Sequence, residues 1–140
     1  MSRENLELVA AAMFPEGANL VELAAEGRFD QALDSEAFAA DVEVMFATPA
    51  GPPTEYAGMD GMLAGWEDWL APWERYDVKV DELIDAGERV VALATLSGRT
   101  RRDGVDVQQP AAAVLTVLDG RITRVEFHLD RREALAAAGL

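Results

Sequence analysis

The chain has 140 residues, half of them hydrophobic and 27% charged, a length that fits one domain built around one core. Twelve basic against 26 acidic side chains leave a formal net charge of -14, which repels phosphate backbones and anionic membrane surfaces and makes nucleic acid a poor partner. There is no cysteine and one histidine, His128, so disulfides, thiolate metal sites and cysteine nucleophiles are excluded and no metal centre is expected. No run approaches the roughly 20 apolar residues of a membrane span, and Met1 to Leu6 form no apolar signal core, so the expectation is a cytoplasmic protein with no membrane partner.

Ser2 reads as an N-cap with Glu4 behind it, and Leu6, Val9 and Met13 recur at helical spacing until Pro15 and Gly17 end the pattern. A second helical pattern runs from Asn19 through Leu20, Leu23 and Ala24 to Gly27, and Phe29, Leu33 and Phe38 suggest a short helix or turn. Val42, Val44 and Phe46 alternate with Asp41, Glu43 and Met45, which is strand periodicity, and the Pro- and Gly-rich stretch Thr48 to Thr54 reads as a loop. Asp60 is placed as the cap of a helix carrying Met62, Trp66, Trp69 and Trp73 on one face.

From Tyr76 the pattern changes to strands: Val78 and Val80 into Leu83 and Ile84, a turn at Asp85 to Gly87, then Arg89 to Ser97. Val105 to Leu118 is a long strand in which Pro110 requires an edge, bend or bulge, and Asp119-Gly120 is a hairpin turn into Arg121 to Leu129. Asp130 with Glu133 three residues on has the spacing of a capping box and opens a last short helix.

This order of elements resembles the SnoaL-like branch of the nuclear transport factor 2-like superfamily, which includes ketosteroid isomerase. The residues that carry the resemblance are Ser2 to Val9, Asp41 to Val44, Tyr56 to Gly61, Trp66 to Trp73, Asp85 to Val90, Asp119 to Ile122 and Leu129 to Leu135. It implies an α+β fold with a curved antiparallel sheet wrapped around N-terminal helices, a cystatin-like cone, over residues 1–140. It also implies a cofactor-free protein that pairs as a homodimer and encloses a pocket. Members of such a family include cyclases, isomerases, epoxide hydrolases and plain binding proteins, so the fold does not choose among them.

The residues must choose. Placed on an isomerase, the base position falls near Val44, the acid donor near Val114 and the phenol near Met13 or Phe14, none of which can exchange a proton. His128 is of the side-chain type that titrates near neutrality, yet Val125, Phe127 and Leu129 form the apolar face of its strand. That phase sends Arg124, Glu126 and His128 to the other face, toward solvent or a subunit contact. His128 and Asp130 are therefore weak catalytic candidates, Asp130 serving better as a cap. The expected pocket comprises Phe46, Tyr56, Trp66, Trp69, Thr95, Val114, Thr116, Phe127 and Leu129, with Gln109 at its rim. Hydroxyls and aromatic rings of this kind orient a small apolar or aromatic molecule better than they move protons. The alternatives are a cofactor-free enzyme and a pocket-less interaction module. The arginines Arg99, Arg101 and Arg102 are read as a solvated hairpin end, the alternative being that they gather an anionic ligand at the pocket mouth.

Overall fold

The computed structural model describes residues 2–14, 17–28, 35–47 and 52–140. Helices α1 (Ser2–Ala12) and α2 (Leu20–Ala25) come first, then a 3-10 turn at Ser35–Ala37 and strands β1 (Phe38–Phe46) and β2 (Thr54–Ala57). Helix α3 (Gly58–Leu70) is followed by β3 (Trp73–Ala86), β4 (Arg89–Thr100), β5 (Asp106–Leu118), β6 (Arg121–His128) and helix α4 (Arg131–Ala137). The strands form one mixed sheet in the order β2-β1-β6-β5-β4-β3, with β1 parallel to β6 and every other pair antiparallel. This is the expected α+β class, with one parallel pair that the alternation along β1 could not announce.

Register breaks in β3, between β5 and β6 and between β1 and β6 bend the sheet. Its inner face is covered by α1 and α2 against β3 and by α3 against β1 and β2. Val9, Leu20, Val44, Phe46, Met62, Trp66 and Tyr76 meet there in the main core. Asn19 serves two elements at once: its side-chain oxygen caps α2 through Val21 N at 3.1 Å and accepts from Tyr76 N at 3.2 Å, locking the helix to the start of β3.

The outer face is not bare. Helix α4 folds back across it and makes a second apolar cluster of Val91, Ala112, Val114, Ala134 and Ala138. Arg131 pins the helix there, donating to the carbonyls of Ala111 at 3.2 Å and Ala94 at 2.8 Å and to Asp81 at 2.9 Å. Asp130 caps α4, accepting from Arg132 N at 2.8 Å.

Several boundaries differ from the sequence reading. Helix α3 starts at Gly58, so Asp60 lies in its first turn rather than at its cap, where a negative charge still complements the helix dipole. The helix stops at Leu70 because Pro72 cannot continue it, and Trp73 opens β3 instead of extending the helical face of Met62, Trp66 and Trp69. Strand β1 begins at Phe38, and the short β2 lies where only a loop end was read. Phe29, Leu33, Pro15 and Thr48 fall outside the described residues. Asp119 and Gly120 both have positive φ, 51° and 74°, as the hairpin turn requires. At Pro110 strand β5 pairs with β4 alone, because β6 joins only from Ala112 onward, so the missing N–H costs no ladder bond.

Candidate ligand cavity

Alternation along the bent strands sends Tyr76, Val78 and Val80 of β3, Ala92, Ala94 and Leu96 of β4, and Ala111, Ala113 and Leu115 of β5 to the inner face. The four alanines among them are too short to fill the space beneath α3. A void of about 90 Å³ remains, closed by Met62, Trp66 and Trp69 from the helix and by Phe46 and Phe127 from β1 and β6.

The aromatic side chains hold one another in place. Phe46 stacks on Phe127 at 4.7 Å and on Trp69 at 5.6 Å, and Trp66 meets Phe14, Phe46 and Phe127 edge-on at 5.3, 5.5 and 5.1 Å. Gly65 permits the close approach of α3, since a Cβ there would fall 2.7 Å from Phe46 Cε1 and 3.0 Å from the Tyr56 ring. At the cavity wall the Tyr76 hydroxyl accepts from Trp69 Nε1 at 2.9 Å. Burial pushes its pKa well up, with Asp77 adding to the rise and the Trp69 bond opposing it, so it stands as a neutral phenol.

Beside the void lies a second, more open hollow of about 280 Å³. Trp69, Tyr76, Leu96 and Leu129 border both, and Asp68, Trp73 and Gln109 are added on the outer side. The two spaces share these four residues as a common wall and are termed the inner chamber and the vestibule.

Of the residues named from sequence, Phe46, Trp66, Trp69, Phe127 and Leu129 border the void, and Gln109 borders the vestibule. Tyr56 lies on the inner face behind them, edge-on to Phe46 at 5.9 Å, with its hydroxyl donating to Asp68 at 3.0 Å. Thr95, Val114 and Thr116 are corrections. In register they stand opposite Pro110, Val91 and Arg89, and Val114 and Thr116 also stand beside Glu126 and Arg124, all on the outer face. Val114 packs under α4, and Thr95 donates to Asp81 at 2.7 Å. Strand β5 is apolar on both faces because a helix layer covers each side of the sheet, so its alternation carried no sign of which face was inner. The isomerase-type acid position assigned to Val114 moves with it to the outer face, and the inward neighbours Ala113 and Leu115 are equally unable to donate a proton.

His128 also needs correction. It stands on the outer face by register, opposite Ala112, but it is buried within the chain at 7% exposure rather than at solvent, and it borders the end of the void. Its Nε2 lies 3.8 Å from Glu126, and among the described residues neither ring nitrogen has a hydrogen-bond partner. Glu126 in turn leads to Arg124, which pairs with Glu43 at 3.0 Å and Glu55 at 3.7 Å. Tyr76 is the site residue that sequence reading passed over. Its phase with Val78 and Val80 was the available signal. Among the described residues no group of three His, Cys, Asp or Glu could hold a metal ion, and no helix is long and apolar enough to cross a membrane.

A curved sheet with helices packed over an apolar cavity on its inner face defines the class of cone-shaped α+β domains to which the nuclear transport factor 2-like proteins belong. The chain belongs to the SnoaL-like domain family, whose profile matches residues 18–125. Solved structures agree in fold. A protein from Jannaschia sp. CCS1 named as a SnoaL-like polyketide cyclase is 19% identical with a TM-score of 0.71, covering 98% of this chain and 92% of its own. TerC, co-crystallised with polyporic acid, is 19% identical with a TM-score of 0.65, covering 98% of this chain and 99% of its own. A hypothetical protein of ketosteroid isomerase-like fold from Catenulispora acidiphila DSM 44928, in complex with trimethylamine, is 23% identical with a TM-score of 0.62, covering 91% of this chain and 95% of its own. No curated protein matches the sequence significantly.

Proposed function

We propose that this protein binds a small, mainly apolar organic molecule, with a ring or branched alkyl group in the inner chamber and the remainder in the vestibule. One observation carries the reading: inward alanines leave a void walled by Phe46, Trp66, Trp69 and Phe127, with the neutral Tyr76 phenol at its edge. Apolar walls with few polar groups are the usual lining of a small-molecule site. Two fold relatives hold small molecules, polyporic acid and trimethylamine, which supports the same use of the cone here. The reading includes a single domain over residues 1–140, acting as a cytoplasmic homodimer.

Titrating aromatic compounds of one ring against tryptophan emission tests it. Saturable change is expected, and Ala113→Leu, which grows a side chain into the void, should abolish it while the protein stays folded. An unchanged affinity in that variant, or no saturation with any ring compound, removes the reading in favour of a pocket-less interaction module.

A second reading, a cofactor-free cyclase, isomerase or epoxide hydrolase, has one observation in its favour, the buried His128 imidazole at the end of the void. If it is a general base, His128→Gln should lower turnover by roughly 10²-fold or more. On the binding reading the same change leaves affinity within a few fold.

A further inference from the structure

The vestibule has a composition of its own. Its aromatic wall is made by Trp69, Trp73 and Tyr76, and among the described residues Asp68 is the acidic side chain that lines it and no lysine or arginine borders it. We propose that this vestibule binds the positively charged end of an organic amine, so that the ligand is an ammonium compound whose apolar body enters the inner chamber. This rests on the small-molecule reading and specifies it.

The geometry is built rather than incidental. The rings of Trp73 and Tyr76 stand 5.2 Å apart at 59°, an angled corner and not a stack. Gly98 makes that corner possible, because a Cβ there would lie 2.7 Å from Trp73 Cε3 and 2.9 Å from the Arg75 carbonyl oxygen. The polar edges of Trp69 and Tyr76 satisfy each other through their hydrogen bond, so the groups left to a ligand are the aromatic rings, the aliphatic Leu96, Val107 and Leu129, the Gln109 amide and the Asp68 carboxyl. Tyr56 donates to only one oxygen of that carboxylate, Oδ2.

Of three nearby guanidinium groups, two face carboxylates and the third is bound to a backbone carbonyl, and none of the three side chains lines the vestibule. Arg101 donates to the Trp73 carbonyl at 3.0 Å, Arg75 faces Asp106 at 4.0 Å and Arg99 faces Glu74 at 3.5 Å. A cation over indole and phenol faces is attracted by the ring quadrupoles, and a nearby carboxylate adds to this. An anionic ligand would meet Asp68 and a chain of net charge -14. A neutral ligand gains nothing from either.

Benzyltrimethylammonium and neopentylbenzene, which have the same shape and differ by one positive charge, separate the cases in calorimetric or fluorescence titrations. The cation should bind roughly five- to thirtyfold more tightly. That advantage should disappear in Trp73→Leu, persist largely in Trp73→Phe and shrink in Asp68→Asn, with neopentylbenzene affected within a few fold throughout. Equal affinity of the two compounds for the unaltered protein, or tighter binding of the hydrocarbon, overturns the ammonium proposal and leaves the apolar pocket standing. Failure of both to bind at millimolar concentration overturns the pocket reading and this proposal with it. The comparison on the unaltered protein decides even if a variant fails to fold.

Discussion

The indole Nε1 of Trp69 donates to the phenol oxygen of Tyr76 at 2.9 Å, tying the last turn of α3 to the first turn of sheet that follows it. Seven residues separate the two, and Pro72 between them forces the reversal that brings them face to face. One bond therefore closes the corner between the inner chamber and the vestibule.

Alkaline pH tests that corner. Burial holds the folded Tyr76 phenol protonated well above its ordinary value of 10.0, whereas the unfolded chain ionises near it. A raised pKa means stability is fully present below about pH 10 and falls as pH climbs beyond it. Tyr56 is raised too, by partial burial and then by Asp68, but its hydroxyl bond is exposed and it should contribute less. Urea midpoints from pH 7 to 11.5 should fall at the alkaline end, and Tyr76→Phe should flatten most of that slope. The same variant should cost about 1–3 kcal/mol at pH 7 by leaving the Trp69 donor unpaired.

Gly65→Ala should destabilise the fold by about 1–2 kcal/mol despite the better helix propensity of alanine. The added methyl meets Phe46 and Tyr56 at 2.7 and 3.0 Å, and overpacking of this kind outweighs the propensity gain. Thermal melts give the stability, and the Trp66 and Trp69 emission should shift because Phe46 contacts both rings.

On the outer face, the Thr95 hydroxyl holds the Asp81 pKa below its ordinary value of 3.8, with Arg131 and Lys79 assisting and desolvation opposing. A lowered pKa places the stabilisation above that value and removes it as pH falls through the folded one. As pH falls below about 4 the unaltered protein should lose stability more steeply than Asp81→Asn. At neutral pH the exposed pair should matter little. Acid titration followed by circular dichroism makes the comparison.

The remaining expectation is assembly. A homodimer mass by light scattering across micromolar concentrations is expected, and a monomer mass throughout that range would remove the dimer from the functional reading.

Much of this architecture was legible before the fold was known. Val42, Val44 and Phe46 announced a one-sided strand, Met62, Trp66 and Trp69 a helix face, and Asp119-Gly120 a hairpin, because each signal depends only on local geometry and on the period of a single element. Trp73 was misplaced by the same logic, since helical spacing ran on past the proline that stops the helix. Sequence also told, through Val125 and Phe127, that His128 faced away from the inner surface, but not that it would be buried there.

What only the tertiary structure decided was which of two apolar faces turns inward. Ala113 and Leu115 alternate with Ala112 and Val114 along β5, and nothing in that pattern separates a cavity wall from the floor beneath α4. Pairing with β4 and β6 made the choice, sending Thr95, Val114 and Thr116 outward and four small alanines inward. An empty space has no residue of its own. It arises where side chains from several strands together fall short of the helix packed over them, so it belongs to the assembled sheet and to no single stretch of sequence.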